Sequence, residues 1–248
     1  MDDGKDLISI WLLDAERGTL SRFTSGYYCA EPVWSPDGSS LVYASAHDTP
    51  PNLYRRTLAS TAEERLMTSP TQNYPTDWSR DGRTMLYWNT DPKTGGDLWT
   101  LPASGDHKPA PLLRTPYSEF GGRFSPEAGG PHWIAYMSDE SGTTQVYVTA
   151  FPAPGRKWQI SVDGGTYPAW RADGKEIFYQ DQKRRVMVVP VNTASGFEAG
   201  APHELFANPG SNFDVTADGQ RFLVDVPTGA AASPPITVVL NWRSGLKR

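Results

Sequence analysis

Five segments of the chain place an aromatic ring beside polar groups just ahead of a tight turn. They are Gly26-Tyr-Tyr-Cys-Ala-Glu31, Gln72-Asn-Tyr-Pro-Thr-Asp77, Tyr117-Ser-Glu-Phe-Gly-Gly-Arg123, Gly164-Gly-Thr-Tyr167 and Gly210-Ser-Asn-Phe-Asp214. All but the fourth carry a carboxylate. Sugar rings stack on aromatic faces while their hydroxyls bond carboxylates and amides, so walls of this composition suit a polyhydroxylated ligand. The candidate binding residues are therefore Tyr28, Tyr74, Arg123, Tyr167, Asn212 and Phe213, and the expected ligand is a small glycan or a partner peptide. Packing between strands accounts equally well for the rings.

The same acids allow a sharper chemistry. Glycoside hydrolysis needs two carboxyl groups about 5 to 9.5 Å apart on either side of the bond. Glu31 and Glu119, with Asp77 between them in sequence, are the candidate catalytic residues of an exo-acting glycoside hydrolase of the β-galactosidase or β-glucosidase type. Arg123 and Tyr74 would then hold the charge of the nucleophile, and burial would raise the pKa of the acid. Other chemistries find little to stand on. His47, His107, His132 and His203 lack metal-ligand spacing, and no Gly-x-Ser-x-Gly motif occurs, so neither a metal nor a cofactor is expected. The loops 91–97 and 138–142 have calcium-loop composition but read more simply as hairpin turns.

These segments recur because the chain recurs. Each ends in an aromatic or apolar residue and a short polar turn: Trp34-Ser-Pro-Asp-Gly38, Trp78-Ser-Arg-Asp-Gly82, Phe124-Ser-Pro-Glu-Ala128, Trp170-Arg-Ala-Asp-Gly174 and Val215-Thr-Ala-Asp-Gly219, spaced by 44 to 46 residues. A repeat of that period built of short apolar strands is the signature of a β-propeller, one blade per copy. In the turn, Asp bonds its own backbone and Gly supplies a positive φ, so these aspartates are structural. Each unit reads as four antiparallel strands, a to d. In the first, strand a ends at Trp34, b is 41–45, c is 53–58 and d lies near 64–67.

The expectation is an all-β protein, a five-bladed propeller of four-stranded blades over 27–70, 71–116, 117–164, 165–209 and 210–242, forming one domain. Residues 6–24 supply two closing strands, of which 19–23 completes the C-terminal blade. That leaves the apolar strand Ile8-Ser-Ile-Trp-Leu-Leu13 over, either as an extra outer strand or as a surface for self-association.

Composition narrows the partners. A net charge of −5 with interspersed signs gives no basic stripe, so nucleic acid is not expected. No apolar run reaches the ~18 residues of a membrane span. The start, Met1-Asp-Asp-Gly-Lys-Asp6, is too polar for a signal peptide, so the location is cytoplasmic by default unless the chain is part of a longer exported or anchored protein. With 9 Trp, 11 Tyr and 9 Phe the chain can bury a large core, and the lone Cys29 forms no internal disulfide.

The run Pro32-Val-Trp-Ser-Pro-Asp-Gly38, the Tyr43-Ala-Ser45 after it and Ser138-Asp-Glu-Ser-Gly142 resemble the TolB-like (Tol-Pal) propeller repeat. The segment Ile236-Thr-Val-Val-Leu-Asn-Trp-Arg-Ser-Gly-Leu246 is similar to the ending of bacterial proteins in which such a propeller follows a serine/threonine kinase domain. No kinase motif occurs in the chain, so the resemblance implies sensing or interaction and no catalysis.

Overall fold

The computed structural model describes residues 8–14 and 17–226, and the backbone of 236–240. The tight turns form as their composition dictates. The Asp37 carboxylate accepts the Ser39 backbone N–H at 3.0 Å, and Asp81, Asp173 and Asp218 repeat this bond with Arg83, Lys175 and Gln220. The glycine that follows adopts φ of 69° at Gly38, 75° at Gly82, 71° at Gly174 and 68° at Gly219, values open to glycine at little cost. In the third copy, which lacks Asp-Gly, the Glu127 carboxylate accepts the Ser125 hydroxyl as Asp37 accepts that of Ser35, and takes the His132 backbone N–H at 3.4 Å.

Among the described residues all regular structure is β, in six antiparallel sheets. A hairpin comes first, β1 (Trp11–Asp14) with β2 (Thr19–Arg22). Three four-stranded sheets follow. They are β3 (Cys29–Trp34), β4 (Ser40–Ser45), β5 (Asn52–Thr57) and β6 (Glu64–Arg65); then β7 (Asn73–Trp78), β8 (Thr84–Asp91), β9 (Gly95–Pro102) and β10 (Ala110–Leu113); then β11 (Glu119–Phe124), β12 (Trp133–Ser138), β13 (Gln145–Ala150) and β14 (Lys157–Gln159). The fifth sheet holds β15 (Thr166–Trp170), β16 (Glu176–Gln180) and β17 (Arg185–Asn192), whose far edge pairs both β18 (Glu198–Ala199) and β19 (His203–Ala207). The last has β20 (Phe213–Val215), β21 (Arg221–Asp225) and β22 (Ile236–Leu240).

Among the described residues five apolar cores lie between consecutive sheets. Val42, Leu53 and Leu66 of the first full blade meet Met85, Tyr87 and Leu101 of the second. Leu86 and Leu98 meet Phe124, Ile134 and Tyr136; Ala135, Val146 and Ile160 meet Ile177, Tyr179 and Val189; Phe178, Val186 and Leu205 meet Phe222. The fifth core is the informative one. Ile10, Leu12 and Phe23 of the hairpin pack on Leu41, Tyr43 and Tyr54 of the first blade.

This changes the reading of the N-terminal strands. Residues 8–13 are not surplus, because Ile10 is buried in that core and its carbonyl accepts the backbone N–H of Phe23 at 2.9 Å. The Ile8 carbonyl accepts the Cys29 N–H at 2.9 Å, which ties the hairpin to β3. Among the described residues β2 pairs with β1, and the expected pairing of 19–23 on the C-terminal sheet is not among the ladders. The hairpin stands where the outer half of a sheet preceding β3–β6 would stand. Residues 241 and 242, expected to extend the last strand, lie outside the described residues.

Candidate functional site

Strand a of each full blade carries a β-bulge. The ladder registers shift between Ala30 and Val33, Pro75 and Asp77, Phe120 and Arg123, and Thr166 and Ala169. An extra residue in one strand bends it and re-aims its side chains. At the bulge the backbone turns left-handed, with φ of 53° at Glu31, 61° at Gly121 and 55° at Tyr167. Glycine adopts this readily, whereas Glu and Tyr hold it at a cost of about 1–3 kcal/mol. Two blades therefore keep a strained side chain where a third uses the relaxed residue.

The strained residues face a central opening. Glu31, Arg123 and Tyr167 line two cavities, one on either side of them. The larger, about 580 Å³, extends toward the Asp-Gly turns and adds Asp77, Trp78, Trp170, Asn212, Phe213 and Asp214. The smaller, about 280 Å³, adds Pro75, Trp88, Phe120, Gly121, Met137 and Thr166. Arg80, which stands where the first copy has Pro36, donates from Nη1 to the carbonyls of Ala172 at 2.9 Å and Pro126 at 3.2 Å. It thereby bridges the turns of the third and fourth full blades beside the larger cavity.

The acids of the site divide by their partners. Glu31 is exposed to the opening, yet the surrounding protein raises its pKa, with the charge of Arg123 pulling it back down. Asp77 is a clasp. Its carboxylate accepts the Trp78 backbone N–H at 2.8 Å and, from the next blade, the Phe124 N–H at 2.7 Å. Burial raises its pKa, while Arg123 and these two N–H groups lower it. Asp214 repeats half of the clasp, accepting the Val215 N–H at 2.8 Å, and is exposed. Arg123 is fixed by donating from Nη1 to the Thr76 carbonyl at 2.6 Å, and Trp170 Nε1 donates to the Arg123 carbonyl at 3.2 Å.

The expected site residues separate accordingly. Glu31, Asp77, Arg123, Tyr167, Asn212 and Phe213 are brought together around the larger cavity. Phe213 is partly spent on structure, since its ring lies 6.2 Å from Phe222 in the core between the last two sheets. Tyr74 stacks on Trp88 at 4.8 Å and its hydroxyl donates to Gln72 Oε1 at 3.2 Å, so it supports the Trp88 wall of the smaller cavity from behind, while Tyr28 lines neither cavity. Glu119 is corrected. It is 2% exposed, lines neither cavity, and its carboxylate accepts the Thr115 hydroxyl and backbone N–H of its own loop. Burial raises its pKa and those bonds lower it. Glu31 and Glu119 thus do not flank a shared space, and the carboxyl pair a hydrolase needs is not formed by them.

Cys29, Asn73 and Glu119 occupy the same place in strand a, and all three are buried. A cysteine and an asparagine at equivalent places were the available sign that Glu119 faces inward. Trp88 carries no such signal, because it lies on strand b, outside the five segments that precede the turns. Among the described residues no group of three or more His, Cys, Asp or Glu could hold a metal ion, and no helix is long and apolar enough to cross a membrane.

Antiparallel sheets packed face to face in sequence, each giving one strand a to a shared central opening, define a β-propeller. Within that class the fold is TolB-like. TolB from Acinetobacter baumannii superposes with a TM-score of 0.74 at 16% identity, over 94% of this chain and 57% of that one. The oligogalacturonate lyase of Vibrio parahaemolyticus superposes with a TM-score of 0.63 at 13% identity, over 94% of this chain and 68% of that one. In sequence, an uncharacterized protein of Agrobacterium fabrum is 27% identical over 183 residues, 69% of this chain and 61% of its own length. The chain thus spans about three fifths of the length of that relative and of the Acinetobacter TolB. No protein-family model matches the sequence.

Proposed function

We propose that the chain is a non-catalytic binding propeller that holds a small glycan in its central opening, at the neck formed by Glu31, Arg123 and Tyr167. The observation that carries this reading is the left-handed backbone at Glu31 and Tyr167, where Gly121 shows that glycine serves the fold. Strain kept at a cavity wall is accounted for by a ligand that needs those side chains. The larger cavity supplies ring faces in Trp78, Tyr167 and Trp170 and hydrogen-bonding groups in Glu31, Arg123, Asn212 and Asp214. Its size falls in the range of ordinary small-ligand pockets. A solved protein of the same fold, the lyase above, is named for an oligosaccharide substrate, which is a precedent at the level of fold alone.

The same proposal sets five full blades around the opening, with the ring closed between the C-terminal sheet and the N-terminal hairpin. Removing residues 1–24 would then destabilise the first and last blades together, and unchanged melting of the truncated chain would refute the closure.

Calorimetric titration with neutral, acidic and amino oligosaccharides tests the ligand class. Glycan binding should weaken at least about tenfold in Tyr167→Ala and in Glu31→Gln, a loss of about 1.4 kcal/mol. Binding of short peptides with no response to any glycan would assign the opening to a protein partner instead.

A further inference from the structure

A separate cavity, of about 590 Å³, opens between the N-terminal hairpin and the first blade, lined by Arg22, Phe23, Tyr27, His47, Arg56 and Glu63 among others. It shares no residue with the central opening. The Arg56 guanidinium lies 3.9 Å from the centre of the Phe23 ring, stacked on its face. Such stacking covers the plane of the guanidinium and leaves its rim of N–H donors free. Among the described residues no hydrogen bond reaches the Arg56 side chain, and its Nε is shut off from solvent. A donor buried without an acceptor costs about 1–3 kcal/mol, more when charged, so the guanidinium is held here at a cost, and its two Nη groups are the donors left to meet a ligand in the cavity.

The neighbours define what that ligand is. Arg22 is held in place by donating from Nε to the Thr24 carbonyl and from Nη2 to the Ser9 hydroxyl, both at 3.0 Å, which brings a second guanidinium to the wall. Tyr27 packs against His47 with ring centres 4.4 Å apart and planes tilted by 56°, and the pair closes another side. The acid of the pocket is turned to other work, since Glu63 Oε1 accepts the Tyr43 hydroxyl at 2.7 Å, and no ion pair joins it to Arg56 among the described residues. Its charge still opposes an incoming anion.

The geometry points to an oxyanion site in this cavity, in which the free rim of Arg56 and the charge of Arg22 hold a carboxylate or a phosphate group. A guanidinium fork matches both groups with two parallel hydrogen bonds, and charge-assisted bonds of this kind are roughly twice as strong as neutral ones. The site is independent of the function proposed for the central opening.

The test follows the Nε–H signal of Arg56 by NMR while sodium acetate or sodium phosphate is added to the full chain at constant ionic strength, with sodium chloride as reference. A saturable shift with acetate or phosphate, absent with chloride, is expected. The tighter of the two names the source of the oxyanion. Arg22→Gln should weaken binding at least about fivefold, Arg56→Lys should weaken it about tenfold by removing the fork, and Glu63→Gln should tighten it. Thermal melting of each variant shows whether it is folded, and the Arg22 and Glu63 variants carry the test if Arg56→Lys unfolds. Shifts equal to those with chloride would overturn the site. So would an Arg56 signal that responds to Glu63→Gln but to neither anion, because Arg56 would then be the partner of Glu63.

Discussion

Carboxylates on strand a and in the turn that follows it respond to the fold in opposite directions. In the turn, Asp37 and Asp173 are pushed down to about 2, and Asp81 and Asp218 are also lowered, chiefly by side-chain hydrogen bonds from Ser35, Arg171, Ser79 and Thr216. On the strand, beside the channel, Glu31 and Asp77 are raised, and burial is the largest cause in both. The turn acids are stabilised as charges chiefly by side chains of the turn itself, with the backbone N–H groups adding to them. The channel acids are charges the fold holds at a cost. The comparison sorts recurrent residues into those that shape the chain and those kept in spite of it.

The largest effect should come from the acid that belongs to both groups. Asp77 lies at the channel but acts as a clasp, so Asp77→Ala should lose about 3 kcal/mol of stability in urea denaturation, because two backbone N–H groups from two blades lose their acceptor. Asp81→Ala, in the turn that follows the same strand, should lose clearly less. An equal loss in the two variants would remove the distinction between clasp and turn.

Next comes the bulge itself. Gly121→Ala places a side chain at φ of 61° and against the Met137 thioether, and should cost about 2 kcal/mol. The same left-handed position in the first blade already carries Glu31, so the contrast measures what that blade tolerates.

Smaller still is the pH dependence. A carboxylate whose folded pKa lies below its unfolded value adds stability above the unfolded value and loses it as pH falls through the folded one. For Asp173 the window runs from 3.8 down to about 2. Acid unfolding monitored across it should be less steep in Asp173→Asn. Glu31 has the opposite sign. Its raised pKa favours the protonated form in the fold, so its contribution is present below the unfolded value of 4.5 and lost as pH rises. Glu31→Gln should accordingly be slightly more stable than the natural chain at neutral pH.

Much of the fold could be read from the chain because turns and strands are local. The Asp-Gly positions dictate their own geometry, and four of the five copies keep them. What escaped was long-range. The strand at 8–13 looked surplus because nothing local shows that Ile10 meets Leu41 and Tyr43. In the site, Glu31, Arg123 and Tyr167 stand out in the segments before the turns, but which way each points is not legible there, since a bulge interrupts the two-residue alternation on which such a reading rests. Glu119 lies ahead of the bulge and faces inward as Cys29 and Asn73 do, and Trp88 reaches the smaller cavity from strand b, outside those segments.

The central claim is that Glu31 is kept in a strained conformation for a ligand. Glu31→Gly tests it most directly, with urea denaturation and glycan titration on the same preparation. The relieved backbone should leave the variant about 1 kcal/mol more stable, after allowance for the added freedom of glycine in the unfolded chain, while glycan binding falls at least about tenfold. A less stable variant that binds as well as the natural chain would contradict the account.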